Sequence, residues 1–115
     1  GILPFQNVSG SGHVYHLYVI RITDACPLRR GQLQESLKHA GIQTSIHYPI
    51  PCHLQPAFSS LGYQPGQFPI TEKLSQEILS LPIYPGMQME QVDRIVNSLR
   101  EQLSCPGAVP ITFTE

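Results

Sequence analysis

Residues 13–22 read His13-Val14-Tyr15-His16-Leu17-Tyr18-Val19-Ile20-Arg21-Ile22, dense in β-branched and aromatic side chains with apolar groups on both alternating sets. That pattern predicts a strand covered on both faces, or nearly so. Residues 24–27 break it. Leu33, Leu37 and Ala40 then recur at helical spacing, with Gly41 placed to end the last turn, so a helix is expected over 30–40. A second strand is expected over 42–48. Seven of the eleven prolines fall between 49 and 85, and proline fixes φ and removes a donor, so no long regular element fits there. The stretch has room for a short helix over 54–61 ending at Gly62, a Pro/Gly loop over 63–69, a helix over 70–79 and a short strand over 81–84. Val92, Ile95, Val96, Leu99 and Leu103 form an apolar stripe that predicts a last helix over 89–103. The resulting order, β-α-β-α-α-β-α, predicts an α+β (α/β-like) fold with a small sheet of three or four strands covered by helices. Residues 1–12, ending in Ser9-Gly10-Ser11-Gly12, read as a linker or tail, 13–104 as the domain, and 105–115 as a second tail in which Ile111-Thr112-Phe113 offers an edge strand.

The 115 residues carry seven Lys+Arg against eight Asp+Glu, a net charge of −1. No clustered basic excess exists, so a nucleic-acid partner is not expected. No apolar run approaches the roughly 18 residues of a membrane helix, so no membrane partner is expected either. Charged residues make up only 13% of the chain, about half the usual share, which fits either a surface partly covered by another domain or subunit or a small surface rich in Ser, Gln and Thr. Three cysteines at long spacing, and an opening without a basic head or a long apolar segment, lead to the expectation of a cytoplasmic protein with free thiols.

His13 and His16 lie at i and i+3 on a strand and so point to opposite faces, one expected buried and one exposed, with no shared metal. The run His47-Tyr48-Pro49-Ile50-Pro51-Cys52-His53 places two imidazoles, a phenol and a thiol at the exit of a strand, in a segment stiffened by two prolines. Such loops often face a cleft. The run lacks the spacing of a zinc site, and adjacent Cys52 and His53 have no identifiable third residue to make a nucleophile. A structural Pro-rich turn and a ligand contact both remain open for it. Glu72, Glu77, Glu90, Asp93 and Glu101 read as solvent-facing. The two lysines, Lys38 and Lys73, also fall at solvated positions, whereas a lysine that forms a Schiff base needs burial or a cationic neighbour.

Taken in order, His13–Arg21, Gly41-Ile42, Ile46-His47-Tyr48-Pro49-Ile50-Pro51, His53-Leu54-Gln55-Pro56-Ala57-Phe58, Leu61-Gly62-Tyr63, Phe68-Pro69 and Leu79-Ser80-Leu81-Pro82-Ile83-Tyr84-Pro85-Gly86 resemble the C-terminal small domain of the DegT/DnrJ/StrS family of pyridoxal-phosphate-dependent sugar aminotransferases. The resemblance spans about residues 13–103. It implies the small domain of a fold-type-I aminotransferase that moves an amino group to a keto group on a nucleotide-linked sugar. The lysine and other residues that hold pyridoxal phosphate belong to the family's large domain, so no catalytic, cofactor-binding or metal-binding residue is expected in this chain. The small domain lines the cleft, and the resemblance carries a substrate-facing role onto His47 and Tyr48, and also onto His53. The implied partners are the missing large domain and a nucleotide sugar, with room for a homodimer. The expected function is thus that of a fragment or truncated stand-alone form, silent by itself. The alternative is a non-enzymatic module that keeps the fold to bind a small molecule or to self-associate. Two departures stand out: Arg30-Gly31 where the family has Arg-Asp, and Gln88 where a Ser or Thr cap is common.

Overall fold

The central strand is β2, Tyr18–Ile22, shorter than the apolar run that announces it. The structure, a computed structural model, describes residues 1–103. Within them β2 is flanked by β1 (Ile2–Pro4) and β3 (Ile78–Leu81) in a three-stranded antiparallel sheet of order β1-β2-β3. The helices are α1 (Arg30–His39), α2 (Pro69–Glu77) and α3 (Met89–Leu103). The fold is α+β, as the sequence predicts. Segment 104–115, with the edge strand expected at 111–113, lies outside the described residues.

Register divides the sheet into two faces. Ile2 pairs with Ile22, and Ile20 with Leu79, and directly opposed residues share a face. These four join Leu33 and Leu37 of α1 and Ile95, Leu99 and Leu103 of α3 in one buried cluster. The other face carries the Val19–Ser80 and Arg21–Ile78 pairs. There α2 is tied to the sheet by the Arg21–Glu77 ion pair. The core and the His47–Ser80 contact therefore lie on opposite faces of one thin sheet.

Four expectations need correction. Residues 1–12 are not wholly a linker, because Ile2 is buried and β1 completes the sheet; three residues are too few to show a period. The strand expected over 42–48 reduces to one bridge, in which Ser45 and Ser80 exchange both backbone hydrogen bonds at 3.1 and 2.7 Å. Pro49 and Pro51 prevent that ladder from continuing. The strand expected over 81–84 begins instead at Ile78, directly after α2 ends at Glu77, and Pro82 closes it. His13 and His16 are both exposed, since the chain before Tyr18 has not yet entered the sheet.

Helix ends follow local chemistry. After α1, Ile42 N–H reaches Leu37 C=O at 2.8 Å and Gly41 N–H reaches Lys38 C=O at 2.9 Å, a Schellman arrangement that needs φ of +75° at Gly41. Arg94 of α3 adds a guanidinium bond of 2.6 Å to Ala40 C=O. None of the three helices has a Ser or Thr cap, and at α1 and α3 glutamine substitutes: Gln32 Oε1 accepts from Arg29 N–H, and Gln91 Oε1 from Gln88 N–H, both at 2.9 Å.

Candidate functional site

From Ser45 the chain leaves the sheet edge and runs through the proline-rich loop. It passes a 3-10 turn at Cys52–Leu54 and a second at Pro56–Leu61 before Gly62. Prolines at 49, 51 and 56 suit short turns, because each removes a donor that a longer helix would need. Gln55 Nε2 donates to Ile50 C=O at 3.2 Å and closes the loop on itself.

His47 is half-buried at the start of this loop. Its Nδ1 lies 3.0 Å from Ser80 Oγ on β3, and among the described residues no hydrogen bond engages its Nε2. The His47–Tyr48 peptide bond is cis. The two rings meet edge to face with centroids 5.6 Å apart. Tyr48 is 63% exposed, and its hydroxyl has no partner among the described residues. His47 and Tyr48 therefore present one imidazole nitrogen and one phenol side by side on the sheet face opposite the core.

His53 behaves differently. Its side chain is 9% exposed, enclosed by Phe68 at 4.7 Å and Tyr63 at 6.3 Å between ring centroids. Its Nε2 donates to Glu72 Oε1 at 3.2 Å. The same carboxylate accepts Gly66 N–H at 2.8 and 2.9 Å and Phe68 N–H at 3.1 Å. The Gly66 bond does most to hold the Glu72 carboxyl below its ordinary pKa, with Phe68 and His53 adding to it against an opposing desolvation. His53 and Glu72 form a clamp that joins the 52–54 turn to the N-terminus of α2. The structure thus keeps His47 with Tyr48 and assigns His53 to a separate aromatic pocket. Sequence reading misses Glu72 and Ser80, and it places Glu77 in solvent although that residue is buried against Arg21. Spacing offered one signal: Glu72 follows Pro69 in the first turn of α2, where a carboxylate is favourable.

Neither lysine is enclosed. Lys38 is 70% exposed and paired with Glu35 at 3.7 Å, and Lys73 is 59% exposed and paired with Glu77 at 3.8 Å. A pyridoxal phosphate anchored on either would lie in water, so the residues of this chain do not fit that cofactor. Cys52 is exposed, and no thiol–imidazole hydrogen bond links it to His53 among the described residues. Nor does any group of three or more His, Cys, Asp or Glu among them suit a metal ion. No helix of the described residues is long and apolar enough to cross a membrane.

Residues 1–100 match the DegT/DnrJ/EryC1/StrS aminotransferase family. The chain belongs to that family. Among the relatives of this family member, a "pleiotropic regulatory protein" of Geobacillus stearothermophilus is 45% identical over 96 residues, which are 84% of this chain and 24% of that protein. The dTDP-3-amino-3,6-dideoxy-alpha-D-galactopyranose transaminase of Aneurinibacillus thermoaerophilus is 44% identical over 87 residues, 76% of this chain and 22% of the enzyme. In structure, DesV of S. venezuelae, solved with a ketimine intermediate, superposes with a TM-score of 0.77 at 35% identity, covering 88% of this chain and 26% of DesV. The chain therefore spans about a quarter of the length of the relatives it matches.

Proposed function

We propose that this chain is the C-terminal small-domain portion of a pyridoxal-phosphate-dependent aminotransferase acting on keto groups of nucleotide-linked sugars. In that reading it supplies a wall of the substrate cleft and none of the cofactor chemistry. The observation that carries it is the His47–Tyr48 pair at a sheet edge, whose ring nitrogen Nε2 and phenol have no hydrogen-bond partner among the described residues. Both groups suit the oxygens of a sugar or its keto group. His53 acts through Glu72 to hold the loop and does not itself meet the ligand. The large domain and the nucleotide sugar are the partners this reading requires. Support for a covered surface comes from an apolar groove of about 400 Å³ between the sheet and α3, lined by Pro4, Tyr18, Leu81, Ile83, Val92 and Val96. With both lysines in solvent, the chain alone is catalytically silent. The test is to add pyridoxal phosphate and then glutamate to the purified chain and follow cofactor absorbance. No glutamate-dependent change is expected, and a saturable shift overturns the claim of silence.

A further inference from the structure

We propose that Ser80 is a positioning residue that fixes the His47 imidazole as a hydrogen-bond donor at Nε2. The inference rests on His47 being the ligand-facing group of the site, and it adds the chemical character of that contact. Ser80 is held at three points. Its backbone exchanges two hydrogen bonds with Ser45, it is paired in register with Val19 of β2, and its residue is buried at 5% exposure. The hydroxyl therefore leaves the sheet at a defined place, on the face opposite Leu79.

Its Oγ meets His47 Nδ1 at 3.0 Å and has no other partner among the described residues. A neutral imidazole carries its proton on one nitrogen only. If Nδ1 held that proton, it would donate to Oγ, and the hydroxyl proton of Ser80 would be left buried with no acceptor. Leaving a buried donor unmade is the costly arrangement. If Ser80 donates to Nδ1, the buried hydroxyl proton and Nδ1 are both satisfied, and the proton of His47 resides on Nε2, which is left for a ligand. The hydroxyl thus chooses the tautomer and, through it, the chemistry His47 offers. What the ring presents is an N–H, which selects an acceptor such as a carbonyl, hydroxyl or phosphate oxygen.

The test reads the ring directly. The 115-residue chain is labelled with 15N-histidine, and long-range 1H–15N correlations are recorded near pH 8, above the ordinary histidine pKa of about 6.5. In the unsubstituted chain the His47 Nδ1 resonance is expected in the unprotonated range and Nε2 in the protonated range, as one tautomer. Ser80→Ala should move both toward the averaged values of a mixture, while Ser80→Thr, which keeps the hydroxyl on a strand, should restore the single tautomer. A proton found on Nδ1 in the unsubstituted chain overturns the proposal whether or not a variant folds. So does a Ser80→Ala spectrum unchanged at His47. A separate titration with dTDP-glucose compares the unsubstituted chain with His47→Ala. No loss of binding in His47→Ala contradicts the ligand-facing reading, while the tautomer result alone decides the role of Ser80.

Discussion

Replacing Gly41 with alanine tests the junction where the sheet-covering helices meet. Gly41 has φ of +75°, and a Cβ built there falls 3.0 Å from Arg94 Nη2. Holding an L-residue in the left-handed region costs about 1–2 kcal/mol. The reduced freedom of the unfolded chain offsets about 0.4–1 kcal/mol of that. The guanidinium must also retreat from Ala40 C=O, now at 2.6 Å, and a weakened hydrogen bond at a solvated surface adds about 0.5–1 kcal/mol. The sum is about 1.5 kcal/mol, which for a domain of this size lowers Tm by about 6–12 °C. Urea melts followed by circular dichroism should show the midpoint falling with an unchanged slope. In an Arg94→Ala background the steric share vanishes, so Gly41→Ala should cost about 0.5–1 kcal/mol less than it does alone. A Gly41→Ala protein as stable as its parent refutes the left-handed cap. An equal cost in both backgrounds refutes the share assigned to Arg94.

Leu79 is fully buried beneath the site, and Ile70 is largely exposed. Leu79→Ala should cost about 2.7–5 kcal/mol and Ile70→Ala less than about 0.5 kcal/mol, as measured by chemical denaturation; similar costs for the two would contradict the placement of the core. Glu72, with its folded pKa depressed by Gly66, Phe68 and His53, contributes stability that is present above the unfolded value of about 4.3 and is lost as pH falls through the folded one. The Tm gap between the parent and Glu72→Gln should therefore be widest near neutral pH and close below about pH 4.3; a gap that widens in acid refutes the sign. Exchanging Gln91 for alanine removes the acceptor for Gln88 N–H and should lower Tm by a few degrees, in line with about 0.5–1 kcal/mol for a lost cap; a neutral result would show that water satisfies that N–H equally well.

The long amphipathic elements were legible because their signal is repetitive. Leu33 and Leu37 mark α1, and the five apolar positions from Val92 to Leu103 mark α3, each with several residues in agreement. Where an element is short or its partner is distant, local pattern fails. Ile2 is a core residue only because Ile22 opposes it, and the strand read over 42–48 is limited to Ser45 because only Ser80 lies across from it. The end of α2 illustrates the same limit, since Ile78 continues the helical spacing of Ile70 and Leu74 but is captured by pairing with Arg21. Of the candidate site, sequence alone offers His47 and Tyr48 as polar groups on a proline-stiffened loop. The burial of His53 was not, because it depends on Glu72 and Phe68, which stand 19 and 15 positions further on. Ser80, one of many serines, carries no mark in sequence beyond the motif that contains it.

The central claim is that this chain completes a sugar aminotransferase by adding a substrate-facing wall. Joining the preceding large domain of a family relative in frame ahead of Gly1, and assaying amino transfer from glutamate to a dTDP-linked keto sugar, tests it most directly. The account predicts that the joined protein transfers the amino group and that His47→Ala lowers kcat/KM by at least tenfold with cofactor binding unchanged. A folded, cofactor-loaded chimera that is inactive, or one indifferent to His47, would contradict it.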